Sequence, residues 1–233
     1  MKKPKVLCVI PARGGSKRLP RKNIKILVGL PLIAYTIKAV QNCHSVTDYL
    51  VSSEDEEILE YAKKYGAPVP FVRPKKLSED NVRNIDVIYH ALKFMENYKN
   101  CIYDIIVLLQ PTCPIRNPMH IDQAVSALVE SNLNTVVSVK GPYKKRDPIL
   151  KAIRDGEIVD YCDVKDPNDI EPFYLYNASI YAVKRDYFVK HKKLISSRQI
   201  PLVMDAFHSV DIDTEADFIL AEAYIKYLKK MKG

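Results

Sequence analysis

The sequence predicts an α/β protein built on an open, mostly parallel, doubly wound sheet with a small β-rich lobe projecting from it. Three observations lead there. Val6 to Ile10 and the run ending Tyr103 to Leu109 carry unbroken apolar stretches, as strands do when both faces are buried in the middle of a parallel sheet. Segments of helical period alternate with such strands up to Val139, the rhythm of helices covering both faces. Beyond Lys140 the rhythm breaks into short β-rich and turn-rich pieces. At 233 residues the chain fits a single domain, 1–233, with 141–176 as the lobe inside it.

Taken in order, the strand Val6 to Ile10 leaves the sheet through Pro11 and Ala12. Pro31 opens a helix whose stripe is Leu32, Ile33, Thr36, Ile37 and Val40, since proline suits a first helical position. Asp48 to Ser53 is a short strand. Ser53 with Glu56 reads as a capping box starting a helix that Gly66 closes. Val69 to Val72 reads as a brief strand interrupted by Pro70. Helical period returns over 82–98, then the strand at Tyr103 to Leu109, a helix over 118–131, and a strand at Asn134 to Val139. In the lobe, Asp155 and Gly156 between short β-rich runs read as a hairpin turn. Asn177 to Val183 returns as strand, His208 to Asp213 is a final short strand, and 214–230 a closing amphipathic helix.

Composition narrows the class. Apolar residues make up 47% and charged residues 27%, ordinary for a globular chain whose core needs no disulfide or structural metal. The five cysteines are odd in number and form no C-x-x-C, which fits reduced thiols and a cytoplasmic location. No stretch approaches a membrane span, and the basic start followed by a short apolar run reads as strand rather than signal peptide. The net charge of +8 suits an anionic small substrate or a nucleic acid. No RNA-binding motif or helix-turn-helix pattern stands out, so a nucleic-acid partner is not expected. A non-catalytic anion or RNA binder is the second class of reading.

The chemistry-bearing segments lie where an open parallel sheet binds ligands, beyond the carboxyl ends of its strands. Residues 11–23, PARGGSKRLPRKN, crowd Arg13, Lys17, Arg18, Arg21 and Lys22 around Gly14 and Gly15. Freed backbone N–H groups ringed by cations can cradle phosphate; a plain basic surface loop is the alternative. Neither the P-loop nor the dinucleotide fingerprint occurs. Asp211 and Asp213, two apart on an extended segment, point to one side, with Val210 and Ile212 on the other. Such a pair suits Mg2+, completed by water and substrate phosphates; acidic residues at a helix start suit capping equally, with Thr214 and Asp217. Gln110 heads QPTCPIR (110–116), where two prolines fix a loop that presents it, or merely make a rigid turn. Arg73, ahead of Pro74, reads alone as a solvated loop charge.

Residues 11–23 closely resemble the signature of the sugar-acid cytidylyltransferases, the CMP-acylneuraminate synthetases and relatives that activate legionaminic, pseudaminic and Kdo-type acids. The segments QPTCPIR, NASIY (177–181) and SVDIDTEAD (209–217) resemble further motifs of that family, and the likeness runs from Val6 to about Leu220. It implies a Rossmann-like nucleotidyltransferase fold and transfer of CMP from CTP to the anomeric hydroxyl of an acylneuraminate-like nonulosonic acid, with pyrophosphate released. Legionaminic, pseudaminic or Kdo-type acids, of nine or eight carbons, are the alternative acceptors. It implies that Ala12, Arg13, Gly14, Lys17, Lys22 and Asn23 wrap the triphosphate, with Arg13, Lys22 and Asp211 catalytic. Arg73 is implied on the nucleotide side, Gln110 near sugar hydroxyls, Asn177 at the substrate, and Asp211 with Asp213 on Mg2+. A homodimer formed through the lobe is also implied. The sequence departs from the family at VKDP (164–167), where an Arg-Arg-Gln run is usual. It departs again at Leu175, which stands where some members carry a carboxylate-pairing arginine.

Overall fold

The computed structural model describes residues 3–143, 151–154, 157–160 and 173–232. Six strands form the main sheet: β1 (Val6–Pro11), β4 (Asp48–Ser52), β5 (Ile105–Leu109), β6 (Thr135–Tyr143), β9 (Phe173–Lys184) and β10 (Ile200–Met204). Their order is β10-β6-β9-β5-β1-β4. β1 runs parallel to β4 and β5, and β6 parallel to β10. β9 is the reversed strand, inserted antiparallel between β5 and β6. The mostly parallel, doubly wound prediction therefore holds.

Alternation along β1 builds both layers. Val6, Cys8 and Ile10 enter one core with helices α1 (Leu32–Gln41), α2 (Glu56–Lys64) and α4 (Pro118–Val129). Leu7 and Val9 enter the opposite core with α3 (Asn84–Tyr98) and α5 (Arg185–His191). Each such fully buried aliphatic contributes roughly 1.5–3 kcal/mol. A third cluster joins the two ends of the chain: Leu19, Leu27 and Leu32 pack against Val210, Ile212 and the apolar stripe of α6 (Glu215–Lys232). Leu27 lies within, and Leu32 directly follows, a minimal hairpin, β2 (Ile26–Leu27) with β3 (Leu30–Pro31).

Three local expectations need correction. Residues 69–72 form no strand; only single backbone bonds tie the neighbourhood to β4, Val51 N–H to Pro68 O and Arg73 N–H to Ser53 O. Pro70 has no N–H to continue a ladder. The segment 208–213 is not a strand either: Phe207–Ser209 is a 3-10 turn, and Ile212 N–H reaches only Thr112 O. Its neighbour, 110–114, carries two prolines and has few donors to offer. The start of α2 is capped by Asp55, which accepts from Ile58 N–H, rather than by a Ser53–Glu56 box. Within the segment expected as a lobe, β7 (Lys151–Arg154) and β8 (Glu157–Asp160) pair antiparallel as the hairpin reading expects. The turn residues Asp155 and Gly156, the segment 161–172 and most of the proposed dimer element lie outside the described residues.

Candidate functional site

The parallel strands β1, β4 and β5 end on one edge, with Pro11 level with Ser52. Because β9 is reversed, its early residues meet the same edge, Ile180 opposite Leu109. A cleft of about 610 Å³ opens there. Arg13, Lys17, Lys22, Asn23, Arg73, Gln110, Asp211 and Asp213 all line it. The two ends of the chain close on each other at its floor: Lys22 Nζ donates to Ile212 O at 2.6 Å and to Asp213 Oδ1 at 3.1 Å.

Each charged residue has an identifiable support. Val210 and Ile212 are buried in the third core cluster, which turns Asp211 and Asp213 toward the cleft. Helix capping falls to their neighbours: Asp217 Oδ2 accepts from Thr214 N–H at 2.8 Å and Asp213 N–H at 3.1 Å, and Thr214 Oγ1 accepts from Asp217 N–H. Neither Asp211 nor Asp213 is therefore spent as a cap. Arg18 reaches Asp213 Oδ2 at 2.9 Å, while Arg13 and Lys17 both rest on Asp80, at 3.1 and 2.5 Å. The bond from Lys17, then the charges of Lys17 and Arg13, hold the Asp80 carboxyl below its ordinary range.

Other predicted residues hold the site rather than face the cleft. Ala12 is buried, its N–H given to Ser52 O at 2.9 Å. Gly14 N–H is not free; it donates to Glu54 Oε1 at 2.8 Å, and a Cβ on Gly14 would collide with the Asp55 carboxylate. Asn23 lines the cleft but donates its amide to Arg13 O at 2.9 Å, fixing the turn of the loop. Asn177 is buried, giving to Ser209 Oγ at 2.9 Å and accepting from Ser138 Oγ at 2.5 Å. It thereby ties β6 and β9 to the approach of Asp211.

Three residues that sequence reasoning passed over complete the support. Glu54 takes Arg73 on its other oxygen at 2.6 Å and Ser78 Oγ at 2.8 Å. Burial pushes the Glu54 carboxyl up, but the bonds from Arg73, Gly14 and Ser78 outweigh it and leave it lowered. Arg116, fully buried, donates to Ser179 O at 2.6 Å, Gln110 O at 2.9 Å and Thr36 Oγ1 at 3.2 Å, locking the Gln110 loop to β9 and α1. Cys113 lies beneath Asp211, its Sγ 3.7 Å from Oδ1; burial first, then the Asp211 charge, push the thiol up to about 12. Glu54 sits in an unremarkable acidic run, so no local signal marked it. Arg116 closes QPTCPIR and was visible as part of that motif without a role.

The arrangement offers cations from one loop and two carboxylates from another, facing a common space suited to a polyphosphate. Among the described residues no group of three His, Cys, Asp or Glu side chains gathers into a metal cluster. None of the described helices is long and apolar enough to cross a membrane.

The chain has known relatives in sequence and in fold. A family model described as Cytidylyltransferase matches residues 7–231. The chain is 34% identical over 225 residues to the CMP-N,N'-diacetyllegionaminic acid synthase of Legionella pneumophila, covering 94% of this chain and 95% of that protein. It is 31% identical over 222 residues to the N-acylneuraminate cytidylyltransferase of Escherichia coli, covering 93% of this chain but 51% of that longer protein. In fold it matches a solved CMP:2-keto-3-deoxy-manno-octonic acid synthetase complexed with CTP. The TM-score is 0.71 at 18% identity, over 96% of this chain and 99% of that one.

Proposed function

The chain belongs to the cytidylyltransferase family, and from that premise we propose that it transfers CMP from CTP to the anomeric hydroxyl of a nonulosonic acid. The sugar oxygen attacks the α-phosphorus, the bond from that phosphorus to the bridging β-phosphate oxygen breaks, and pyrophosphate leaves. The hydroxyl proton passes to solvent or to a cleft carboxylate. The observation carrying this reading is the closure of Lys22 on Ile212 and Asp213, which sets the basic loop and the Asp211–Asp213 pair in one cleft.

In this reading Arg13, Lys17 and Lys22 offset the charge of the triphosphate, the electrostatic term that dominates phosphoryl transfer. Asn23 holds the loop's shape, Arg73 lies toward the nucleoside, and Gln110 meets sugar hydroxyls. Ala12, Gly14 and Asn177 act by fixing the backbone around the substrates. Asp211 and Asp213 fit Mg2+, because that ion accepts one or two carboxylates and completes its shell with water and phosphate oxygens. Both carboxylates face the cleft without a capping duty. Bound there, the ion supplies Lewis-acid polarisation of the phosphate.

Legionaminic acid stands beside neuraminic acid as acceptor, since the legionaminic relative matches along nearly its whole length. The test is a panel of four nucleoside triphosphates against neuraminic, legionaminic, pseudaminic and Kdo acids, read by pyrophosphate release. CTP with a nonulosonic acid should be the productive pair, and Asp211→Ala should silence it with the circular dichroism spectrum unchanged. Release with no sugar acid present, or none with CTP, refutes the reading. A cytoplasmic homodimer joined through 141–176 belongs to the same proposal, and light scattering of the purified chain should give twice the chain mass.

A further inference from the structure

Asp211 has two sides. On one lies the cleft with the basic loop; on the other a second hollow of about 530 Å³, lined by Lys140, Tyr176, Asn177, Ser209, Asp217 and Tyr224 among others, with Asp211 shared between them. The cations of the first space come from the basic loop and Arg73. Among the described residues lining the second, Lys140 is the one cation. It is half-buried near the end of β6, directly opposite Leu175 of β9.

The acceptor's own chemistry calls for such a cation. In a 2-keto sugar acid the attacking hydroxyl and the carboxylate are borne on one carbon. An acid whose hydroxyl reaches the α-phosphate beside Asp211 therefore holds its carboxylate close to Asp211 as well. Taken out of water without a counter-charge, that carboxylate is costly to bind. The basic-loop cations face the triphosphate, so its counter-charge has to come from the other side of Asp211. Resting on the CMP-transfer reading, we infer that Lys140 receives the carboxylate of the sugar acid, and that the second hollow is where this end of the acceptor lies. Tyr176 and Tyr224 give the same hollow aromatic walls, the Tyr176 hydroxyl being held by Gln199 Oε1 at 2.8 Å.

The experiment compares wild type, Lys140→Met and Lys140→Arg in the full chain, with the sugar acid found productive in the panel and with its methyl ester. Lys140→Met should raise KM for the acid by about 10- to 100-fold, the loss expected for a charge-assisted hydrogen bond. KM for CTP should stay unchanged, and Lys140→Arg should recover most of the loss. The ester, lacking the charge, should not distinguish the variants. An unchanged KM for the acid in Lys140→Met, or an equal rise for acid, ester and CTP, overturns this inference while the CMP-transfer reading stands. A wild type silent toward every sugar acid overturns both.

Discussion

Glu54→Gln is the sharpest test of how the site is held. Among the described residues, Glu54 touches both the basic loop, through Gly14 N–H, and Arg73 with Ser78. The amide keeps a single acceptor oxygen. It can satisfy Gly14, or Arg73 and Ser78, but not both, and its NH2 then faces a donor. Arg73 is 3% exposed and Glu54 16%, so water screens little of the loss. Removing one partner of a buried pair costs about 3–5 kcal/mol; the 3.0 Å bond from Arg73 Nε to Ser78 Oγ survives, so about 2–3 kcal/mol is expected here. For a chain of this length that lowers Tm by roughly 5–10 °C. Urea unfolding should show a lower midpoint at unchanged slope. The pH dependence carries a sign. The Glu54 carboxyl is lowered in the folded state, so its stabilisation is present above the ordinary carboxylate pKa and is lost as pH falls through the lowered folded value. The gap between wild type and Glu54→Gln should therefore close in acid. A loss below about 0.5 kcal/mol at neutral pH, of the size usual for an indifferent surface site, would refute the argument.

Two further substitutions probe the same frame. Gly14→Ala drives a Cβ into Asp55, which also caps α2 and pairs with Arg21; a loss of about 1–3 kcal/mol is expected by thermal unfolding, and Asp55→Ala in the same chain should make the second methyl nearly free. Arg116→Met leaves the Ser179 and Gln110 carbonyls without their buried donor; about 2–4 kcal/mol should be lost, with a raised KM for substrate in whatever folds, measured by pyrophosphate release.

The layers of the fold were legible because burial on both faces leaves an unmistakable mark, as in Val6 to Ile10. The direction of β9 was not, since a strand buried between two neighbours has the same composition whichever way it runs. β10 escaped notice because it is an edge strand with Pro201 near its start and alternate residues exposed, and α5 because seven residues give too few turns for a stripe. The 208–213 segment misled for a different reason: alternation alone predicts which side chains point together, and they do, but a strand also needs a neighbour with N–H groups to share. In the site, Arg13, Lys22, Asp211 and Asp213 were legible as charge placed at strand ends. Glu54 was not, because its partners at Gly14 and Arg73 approach only once the chain has folded, and nothing in its immediate neighbours marks that.

The cations of the basic loop are not equivalent, and the difference is testable. Arg13, Lys17 and Arg18 hold exposed carboxylates, pairs that contribute little and are readily exchanged for phosphate oxygens. Lys22 differs: its side chain is 11% exposed, and its ammonium is held by a backbone carbonyl from the far end of the chain as well as by Asp213. It fastens the loop to the segment carrying Asp211. Lys17→Met should therefore raise KM for CTP and leave unfolding unchanged. Lys22→Met should do both, because Ile212 O loses its donor and Asp213 its buried counter-charge; a loss of about 2–3 kcal/mol follows from one charged hydrogen bond and one stranded acceptor. If Lys22→Met unfolds at the same urea midpoint as wild type, the two ends of the chain are held together by the third core cluster and the Arg18–Asp213 and Lys25–Glu215 pairs, and Lys22 serves substrate only.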